Sequence, residues 1–157
     1  MNLSTQAPGW RQAHVGHWLM KASARFDGRV LELMAANDNV PLALSNLAAR
    51  GRLTASHMHI TRHLALDGAR LIDLARCAGV SKQAMGKLVD QCEAWGLVLR
   101  QPDARDARAC RVLYTRTGLD WLQAYAQAVA QAQNELRAAV GDEVTTVIVL
   151  GLEAYAA

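Results

Sequence analysis

Residues 69–118 read ARLIDLARCAGVSKQAMGKLVDQCEAWGLVLRQPDARDARACRVLYTRTG. Apolar residues recur at helical spacing in two parts of this stretch, about 71–78 and 82–95, and Gly79-Val80 lies between the two parts. Ser81 precedes the second part and is one of the residue types that cap helix N-termini. A helix, a tight turn and a second helix in this order predict a helix-turn-helix.

The second predicted helix has two chemically different sides. The side that we expect to be buried carries Met85, Leu88, Val89 and Cys92. The opposite side, near the start of the helix, carries Lys82, Gln83, Gly86 and Lys87. A DNA major groove is wide enough to admit an α-helix, so these four residues are the ones that would meet base edges and phosphates.

The segment that follows this helix predicts a hairpin. Gly96 ends the helix, and the apolar residues 97–99 lead into the polar sequence QPDARDAR. Apolar and other side chains then alternate in ACRVLYT at 109–115, and Pro102 argues against a helix. Two strands around a polar loop form a wing, which completes a winged helix-turn-helix at about 53–118.

The flanking sequences predict further helices. Apolar residues follow a helical face from Val15 to Leu33, a short helix is expected at 42–49, and Thr54 is placed to cap another. After the wing we expect helices from Leu119 to Val140 and from Val144 to Tyr155. The predicted fold class is therefore mostly α: a winged helix-turn-helix with a small β-hairpin wing, flanked by N- and C-terminal dimerisation helices at about 13–36 and 116–157.

Length and composition limit the possible architectures. A chain of 157 residues suits one domain, which we place at 10–157 after a flexible N-terminus at 1–9. Large apolar surfaces at both ends of so small a chain would be poorly covered in a monomer, so we predict a homodimer. No apolar run is long enough to span a membrane, and the three cysteines form no CxxC pair, so we expect a cytoplasmic protein with reduced thiols.

The positive charge of the chain is localised. The formal net charge is +3, and between Lys82 and Arg116 there are seven basic residues and four acidic ones. The rest of the chain holds ten residues of each sign. The whole excess therefore lies in the second helix and the wing, which favours a polyanionic partner such as double-stranded DNA.

Two motifs in this region resemble a known family. Asp106-Ala107-Arg108 and Thr115-Arg116-Thr117-Gly118 keep the spacing of a wing signature, Asp-x-Arg followed by Thr-x-x-Gly. The upstream sequence LARCAGVSKQAMGKLVDQCEAWGLV, residues 74–98, is similar to the pattern LAxxLGxSxxxVxxLVxxLExxGLV. Both resemble the MarR family of winged-helix transcriptional regulators, and the similarity covers the central third of the chain.

The resemblance implies a homodimer with one recognition helix in each of two major grooves and one wing in each flanking minor groove. The DNA-binding residues that it suggests are Ser81, Lys82, Gln83, Gly86, Lys87, Arg105, Asp106 and Arg108. We expect Gln83 to read a base and the lysines to meet phosphates. The chain departs from the family where Ala107 replaces a usual arginine and where Gly86 replaces a small polar residue, so minor-groove contacts are expected to shift toward Arg105.

The family also implies an effector cavity between the first helices and the dimer stem. The residues placed to border such a cavity are His14, Trp18, His57, His59 and His63. For the histidines, polar helix surface is the competing interpretation, and for Trp18 it is core packing. His59 and His63 share a helical face, but without a third ligand at suitable spacing we predict no metal site and no cofactor.

The function that these observations favour is a sequence-specific DNA-binding transcriptional regulator, a ligand-responsive repressor acting as a homodimer. The alternative is a protein-interaction module that uses its winged helix without sequence-specific DNA binding. We do not expect an enzyme, because the sequence contains no nucleophile and base pair and no phosphate-binding glycine loop. Structural thiols are favoured over redox sensing, since no cysteine has an evident activating environment.

Arg108 provides the first test of this interpretation. An arginine that enters a narrow, electronegative minor groove contributes a specific contact, so Arg108→Ala should weaken binding to a cognate DNA site by about 1–3 kcal/mol. A gel-shift titration measures the change. Unchanged affinity would exclude this role for Arg108.

Overall fold

The computed structural model of the protein describes residues 9–38, 40, 44, 54–103 and 106–157. Its α-helices are α1 (Val15–Ala35), α2 (Met58–His63), α3 (Leu71–Cys77), α4 (Lys82–Ala94), α5 (Arg116–Val140) and α6 (Asp142–Ala156). Its strands are β1 (Ala69–Arg70), β2 (Val98–Asp103) and β3 (Asp106–Tyr114), and 3-10 turns lie at Trp10–Gln12 and Ala55–His57. The predicted mostly α fold, with a winged helix-turn-helix between long terminal helices, is confirmed.

Some sequence predictions lie outside the described residues. They concern the flexible N-terminus up to residue 8 and the helix expected at 42–49, apart from Leu44. Gly9 is described, and its carbonyl accepts a hydrogen bond from the Gln12 N–H at 2.9 Å.

Side-chain caps begin two of the central helices. The Ser81 Oγ accepts a hydrogen bond from the Ala84 N–H at 3.1 Å, which confirms the predicted cap of α4. The Thr115 Oγ1 does the same for the Gly118 N–H at 3.0 Å and begins α5. The predicted cap by Thr54 is wrong: a 3-10 turn precedes α2, and the Thr54 hydroxyl instead lies 3.1 Å from His57 Nδ1.

The sheet has three antiparallel strands in the order β1-β3-β2. Strands β2 and β3 form the predicted wing hairpin, with Val98 opposite Tyr114 and with an irregularity at Pro102/Asp103. Strand β1 pairs Ala69 with Val112 and was not predicted. Two residues are too few to show a period-two pattern, so only the tertiary fold reveals this strand.

One hydrophobic core joins the winged helix to the long helices. Met85, Val89 and Cys92 of α4 are buried as predicted, whereas Leu88 is half-buried. The core continues through the sheet to residues on α1 and α5, among them Val30, Met34, Val112, Trp121 and Ala128. Helix α4, which stands where the resemblance places the recognition helix and is given that name below, is therefore packed on its apolar side and leaves the opposite side to solvent.

Helix α5 turns a different face to the core from the apolar series expected in the sequence. Its buried residues are Gly118, Trp121, Ala124, Ala128 and Ala132, and α1 packs against this helix. The residues of the expected series, Leu122, Ala126, Val129, Leu136 and Val140, are half-buried or exposed. Alanine packs closely because its side chain is small, so the chain's own core uses the alanine face of α5.

Ion pairs reinforce the contact between α1 and α5. Arg29 Nε lies 2.7 Å from Glu135 Oε2, and Arg29 Nη2 lies 2.9 Å from Glu135 Oε1. This two-pronged hydrogen bonding by Arg29 lowers the pKa of Glu135 to about 2. Arg62 of α2 bonds both Asp27 of α1 and the hydroxyl of Tyr125 on α5, so three helices meet at one guanidinium.

The terminal helices leave apolar side chains in solvent. On α6, Val147, Leu150 and Tyr155 are 70%, 59% and 86% exposed, and on α1 Val15 and Met20 are also exposed. Even so, no helix in the described part of the chain is both long enough and apolar enough to cross a bilayer.

Gly118 shows how tightly α5 approaches the end of the recognition helix. A Cβ at this position would lie 1.9 Å from the Leu97 carbonyl oxygen and 3.0 Å from the Leu97 carbonyl carbon. These are backbone atoms, so no side chain can move to make room.

Gly118→Ala should therefore lower the free energy of unfolding by about 1–3 kcal/mol, although alanine is the better helix former. Urea unfolding followed by circular dichroism measures the change. Gly28→Ala is the matched control, because a Cβ at Gly28 in α1 meets nothing within 4 Å. Equal stability changes in the two variants would contradict the packing argument.

Candidate nucleic-acid interface

The exposed side of α4 brings together most of the residues that the sequence analysis selected. Lys82, Gln83 and Lys87 are exposed there, and Gly86 lies among them. Ser81 stands immediately before the helix, where its Oγ is occupied as a hydrogen-bond acceptor in the cap. A hydroxyl keeps a donor when it accepts, so Ser81 can still donate to a phosphate oxygen.

The wing hairpin extends from the sheet beside this helix. Asp106 begins β3, and Arg108 follows on the same strand at an alternate position. Arg105 lies outside the described residues, as do the side chains of Asp106, Ala107 and Arg108. The suggested support of Arg108 by Asp106 therefore stays a prediction.

Of the five basic side chains that the structure describes in this region, three form bonds within the chain. Arg100 bonds Asp90 and Glu93, and Arg111 Nη2 donates to the carbonyls of Asp67 at 2.8 Å and Gly68 at 2.9 Å. Arg116 Nε lies 3.4 Å from Asp120 Oδ1. Lys82 and Lys87 form no ion pair with any acidic side chain that the structure describes.

Arg100 joins the wing to the recognition helix. Its Nη1 lies 2.5 Å from Glu93 Oε2 and its Nη2 lies 2.6 Å from Asp90 Oδ1. Its backbone N–H donates to the other Glu93 oxygen at 3.1 Å. Partial burial opposes the charge, but the hydrogen bonds to Asp90 and Glu93 outweigh it and raise the pKa of Arg100. The start of β2 is therefore held against the C-terminal half of α4.

A second ion pair holds the far end of β2. Asp103 is buried, and its Oδ2 lies 2.7 Å from the Arg70 Nε of β1. Sequence reasoning missed the structural roles of Arg70 and Arg100. The partner of Arg70 is 33 residues away, and those of Arg100 are 7 and 10 residues away, where no helical or hairpin spacing rule connects them.

Of the residues proposed for an effector cavity, His57 is buried, and it lies at the end of the 3-10 turn that precedes α2. The Thr54 N–H donates to its Nδ1 at 3.0 Å, so this nitrogen must be unprotonated. The proton is then on Nε2, which lies 2.7 Å from Gln91 Oε1 on α4. The ring also contacts Trp95, with 4.8 Å between centroids. His57 therefore links the turn before α2 to helix α4.

The small cavity beside His57 has a volume of about 10 Å³, roughly the space of one water molecule. Its lining consists of His57, Ile60, Thr61, Cys92, Leu97, Val98, Tyr114 and Trp121. The other four proposed residues do not line it. His14 and Trp18 are exposed near the start of α1, His63 is exposed on α2, and of His59 only the backbone is described.

The histidine, cysteine and acidic side chains in the ranges that the structure describes bear on metal and thiol chemistry. No group of three histidine, cysteine or acidic side chains is arranged there to hold a metal ion. Cys92 is buried, and burial raises the pKa of its thiol to about 12, which disfavours the reactive thiolate. Cys77 is exposed and Cys110 is half-buried, and both are free thiols.

Comparisons with known proteins indicate the same winged helix-turn-helix fold. Residues 53–109 match the MarR family. The transcriptional repressor CouR of Rhodococcus jostii RHA1, in its complex with a 23-mer DNA duplex, aligns over 97% of this chain and 99% of its own with a TM-score of 0.72 and 19% identity.

Two further structures are similar over nearly their whole lengths. Bordetella bronchiseptica BpsR, whose DNA binding is regulated by 6-hydroxynicotinic acid, covers 96% of this chain and 98% of its own, with a TM-score of 0.68 and 17% identity. Wild-type MarR from E. coli covers 90% and 96%, with a TM-score of 0.65 and 21% identity. At these identities the structures establish the shared fold.

The contacts of Arg100 predict a measurable contribution to stability. Arg100→Gln removes hydrogen bonds from two carboxylates at a half-buried position, so it should lower the free energy of unfolding by about 1–3 kcal/mol. Urea unfolding measures the loss, and hydrogen exchange should show faster exchange in β2 and β3. The control is Arg116→Gln, whose solvent-exposed pair on α5 contributes at most about 0.5 kcal/mol. A smaller loss of stability for Arg100→Gln than for Arg116→Gln would refute this role of Arg100.

Proposed function

We propose that this chain, whose residues 53–109 match the MarR family, is a homodimeric, sequence-specific repressor of that family whose DNA affinity responds to a small-molecule effector. The observation that carries the proposal is the solvent-exposed face of α4. Lys82, Gln83 and Lys87 lie on it, opposite the buried Met85 and Val89. Such a face presents cations and an amide to whatever the helix enters.

The chemistry of these residues assigns them different parts in the proposed complex. Lys82 and Lys87 are exposed point charges that pair with none of the described acidic side chains, which suits phosphate oxygens. Gln83 has an amide that bonds adenine through two hydrogen bonds in the major groove. In the wing, Arg105 and Arg108 would enter the minor groove, with Asp106 orienting Arg108. Ser81 and Gly86 complete the surface that faces DNA.

The proposed homodimer accounts for the apolar surface on the terminal helices. Val147, Leu150 and Tyr155 of α6 and Trp18 of α1 are each more than half exposed. Large exposed apolar patches are rare on stable monomers and are covered in oligomers. A two-fold dimer built on these helices would present two recognition helices to half-sites about one helical turn apart, near 34 Å.

The proposed effector would bind between the winged helix and the dimer helices. Solved relatives carry p-coumaroyl-CoA in CouR and respond to 6-hydroxynicotinic acid in BpsR. The cavity beside His57 has room for about one water, so an effector would need space outside this cavity. We therefore place the effector beside His57, on the side that faces the dimer helices, with His14, Trp18, His59 and His63 of either copy as further candidates. An effector regulates only if it prefers one spacing of the recognition helices.

A double lysine variant tests the DNA-binding proposal. A duplex is first selected from random DNA with the full-length protein, and binding is then titrated at several salt concentrations. The double variant Lys82→Ala/Lys87→Ala should make the negative slope of log K against log salt shallower by about 2, because two phosphate contacts are lost. Lys21→Ala is the matched control, since it removes an exposed lysine from α1.

Two results would count against the proposal. Failure of the wild-type protein to enrich any sequence would refute sequence-specific binding and favour a protein-interaction module. A sedimentation mass of 17.1 kDa alone at micromolar concentration would refute the homodimer.

A further inference from the structure

Gly86 is the fifth residue of α4 and lies in the interior of the recognition helix. Glycine is a poor helix former, because it loses more backbone entropy on folding than any other residue. The helix is therefore less stable with glycine here than with alanine. A glycine in this position calls for an explanation from its surroundings.

The packing of the chain does not supply that explanation. A Cβ at Gly86 would meet nothing within 4 Å, and its φ is not in the left-handed region. Gly118 and Gly68 behave differently. At Gly118 a Cβ would strike the Leu97 carbonyl oxygen, and at Gly68 it would lie 2.7 Å from the Val112 carbonyl oxygen at a φ of +84°. Within the described structure, a side chain at position 86 has open space.

The open space at Gly86 is bordered by long polar side chains. Lys82 and Gln83 lie one turn earlier on the same side of α4, and Lys87 follows directly. From the wing, the Arg100 Nη2 reaches to 3.4 Å from the Gly86 carbonyl oxygen while Asp90 and Glu93 hold its guanidinium. Position 86 is thus a gap beside these polar side chains, with half-buried helix backbone at its base.

We propose that Gly86 determines specificity by letting the backbone of α4 contact the edge of a base pair directly in the major groove. This inference rests on the proposed DNA-binding function. The flanking side chains of Lys82, Gln83 and Lys87 reach around the point of contact, and the gap receives the part of the base pair that projects farthest into the groove. A projecting apolar group such as the C5 methyl of thymine has the shape and polarity that suit the CH₂ group of Gly86 at the base of the gap.

Glycine at position 86 should lower the stability of the protein but strengthen its binding to DNA, so the two effects can be measured separately. Gly86→Ala should raise the melting temperature by about 2–4 °C, since alanine favours the helix and meets no obstacle. The same variant should bind the duplex selected by the wild-type protein about tenfold more weakly, because the added methyl separates the two surfaces. Affinity for a scrambled duplex of equal composition should stay within about twofold, since non-specific binding depends on phosphates.

Gly28→Ala is the matched control. Gly28 is also a helical glycine with no atom within 4 Å of a built Cβ, but it lies on α1. It should give a similar rise in melting temperature with no change in affinity for either duplex, and sedimentation of both variants should give the wild-type mass. Gly86→Ser, a second small substitution, should weaken binding to the selected duplex like Gly86→Ala.

The possible outcomes distinguish the role of Gly86 from the proposed DNA-binding function. If Gly86→Ala is more stable and binds the selected duplex as tightly as the wild type, the inference is wrong while the DNA-binding function stands. If Gly86→Ala weakens binding to both duplexes equally, the residue does not determine specificity and the inference is also wrong. If the wild-type protein itself does not discriminate between the duplexes, the proposed function fails and the inference fails with it.

Discussion

The close contact between the first turn of α5 and the end of the recognition helix is the constraint on which the rest of the structure depends. Thr115 donates its backbone N–H to the Leu97 carbonyl at 3.1 Å and its hydroxyl to the Gly96 carbonyl at 2.5 Å, while its Oγ1 caps α5. Gly118 then lies against the Leu97 carbonyl, where any side chain would collide. The end of α4, the start of β2, the end of β3 and the start of α5 therefore meet at one rigid point. The Thr-x-x-Gly part of the wing signature has this physical meaning.

This contact gives a route by which the long helices and the recognition helix influence each other. Above it, the Trp121 indole N–H donates to the Thr61 hydroxyl at 3.2 Å, and the Tyr114 hydroxyl donates to the Ile60 carbonyl at 3.3 Å. His57 extends the same set of contacts to Gln91 on α4. Since interiors are close-packed and transmit strain, a change in the angle of α5 must displace α4 or break these bonds. In the proposed regulator, that coupling is what an effector would use.

The basic side chains that the structure describes in the winged helix fall into two groups with different surroundings. Arg70, Arg100 and Arg111 hold the wing in place through carboxylates and carbonyls, as the planar guanidinium with several donors allows. Lys82 and Lys87 stay in solvent at the start of α4. The count of charges between Lys82 and Arg116 treats Arg100, Arg111 and both lysines alike, as a surface for a polyanion. The structure shows that part of this charge positions the wing.

The sequence by itself determined the local elements of this protein: the two helices of the motif, the Ser81 cap, the buried side of α4 and the hairpin that follows it. These depend on periodicity, capping and turn residues within a few positions of each other, so they can be read from neighbours in the chain. The tertiary structure alone decided which face of α5 is buried, that Ala69 and Arg70 form a third strand, that Arg100 is bound to Asp90 and Glu93, and that the cavity beside His57 holds no more than a water. Those features depend on contacts between residues far apart in the chain, where several pairings satisfy the same local pattern and only the packing of the whole core selects one.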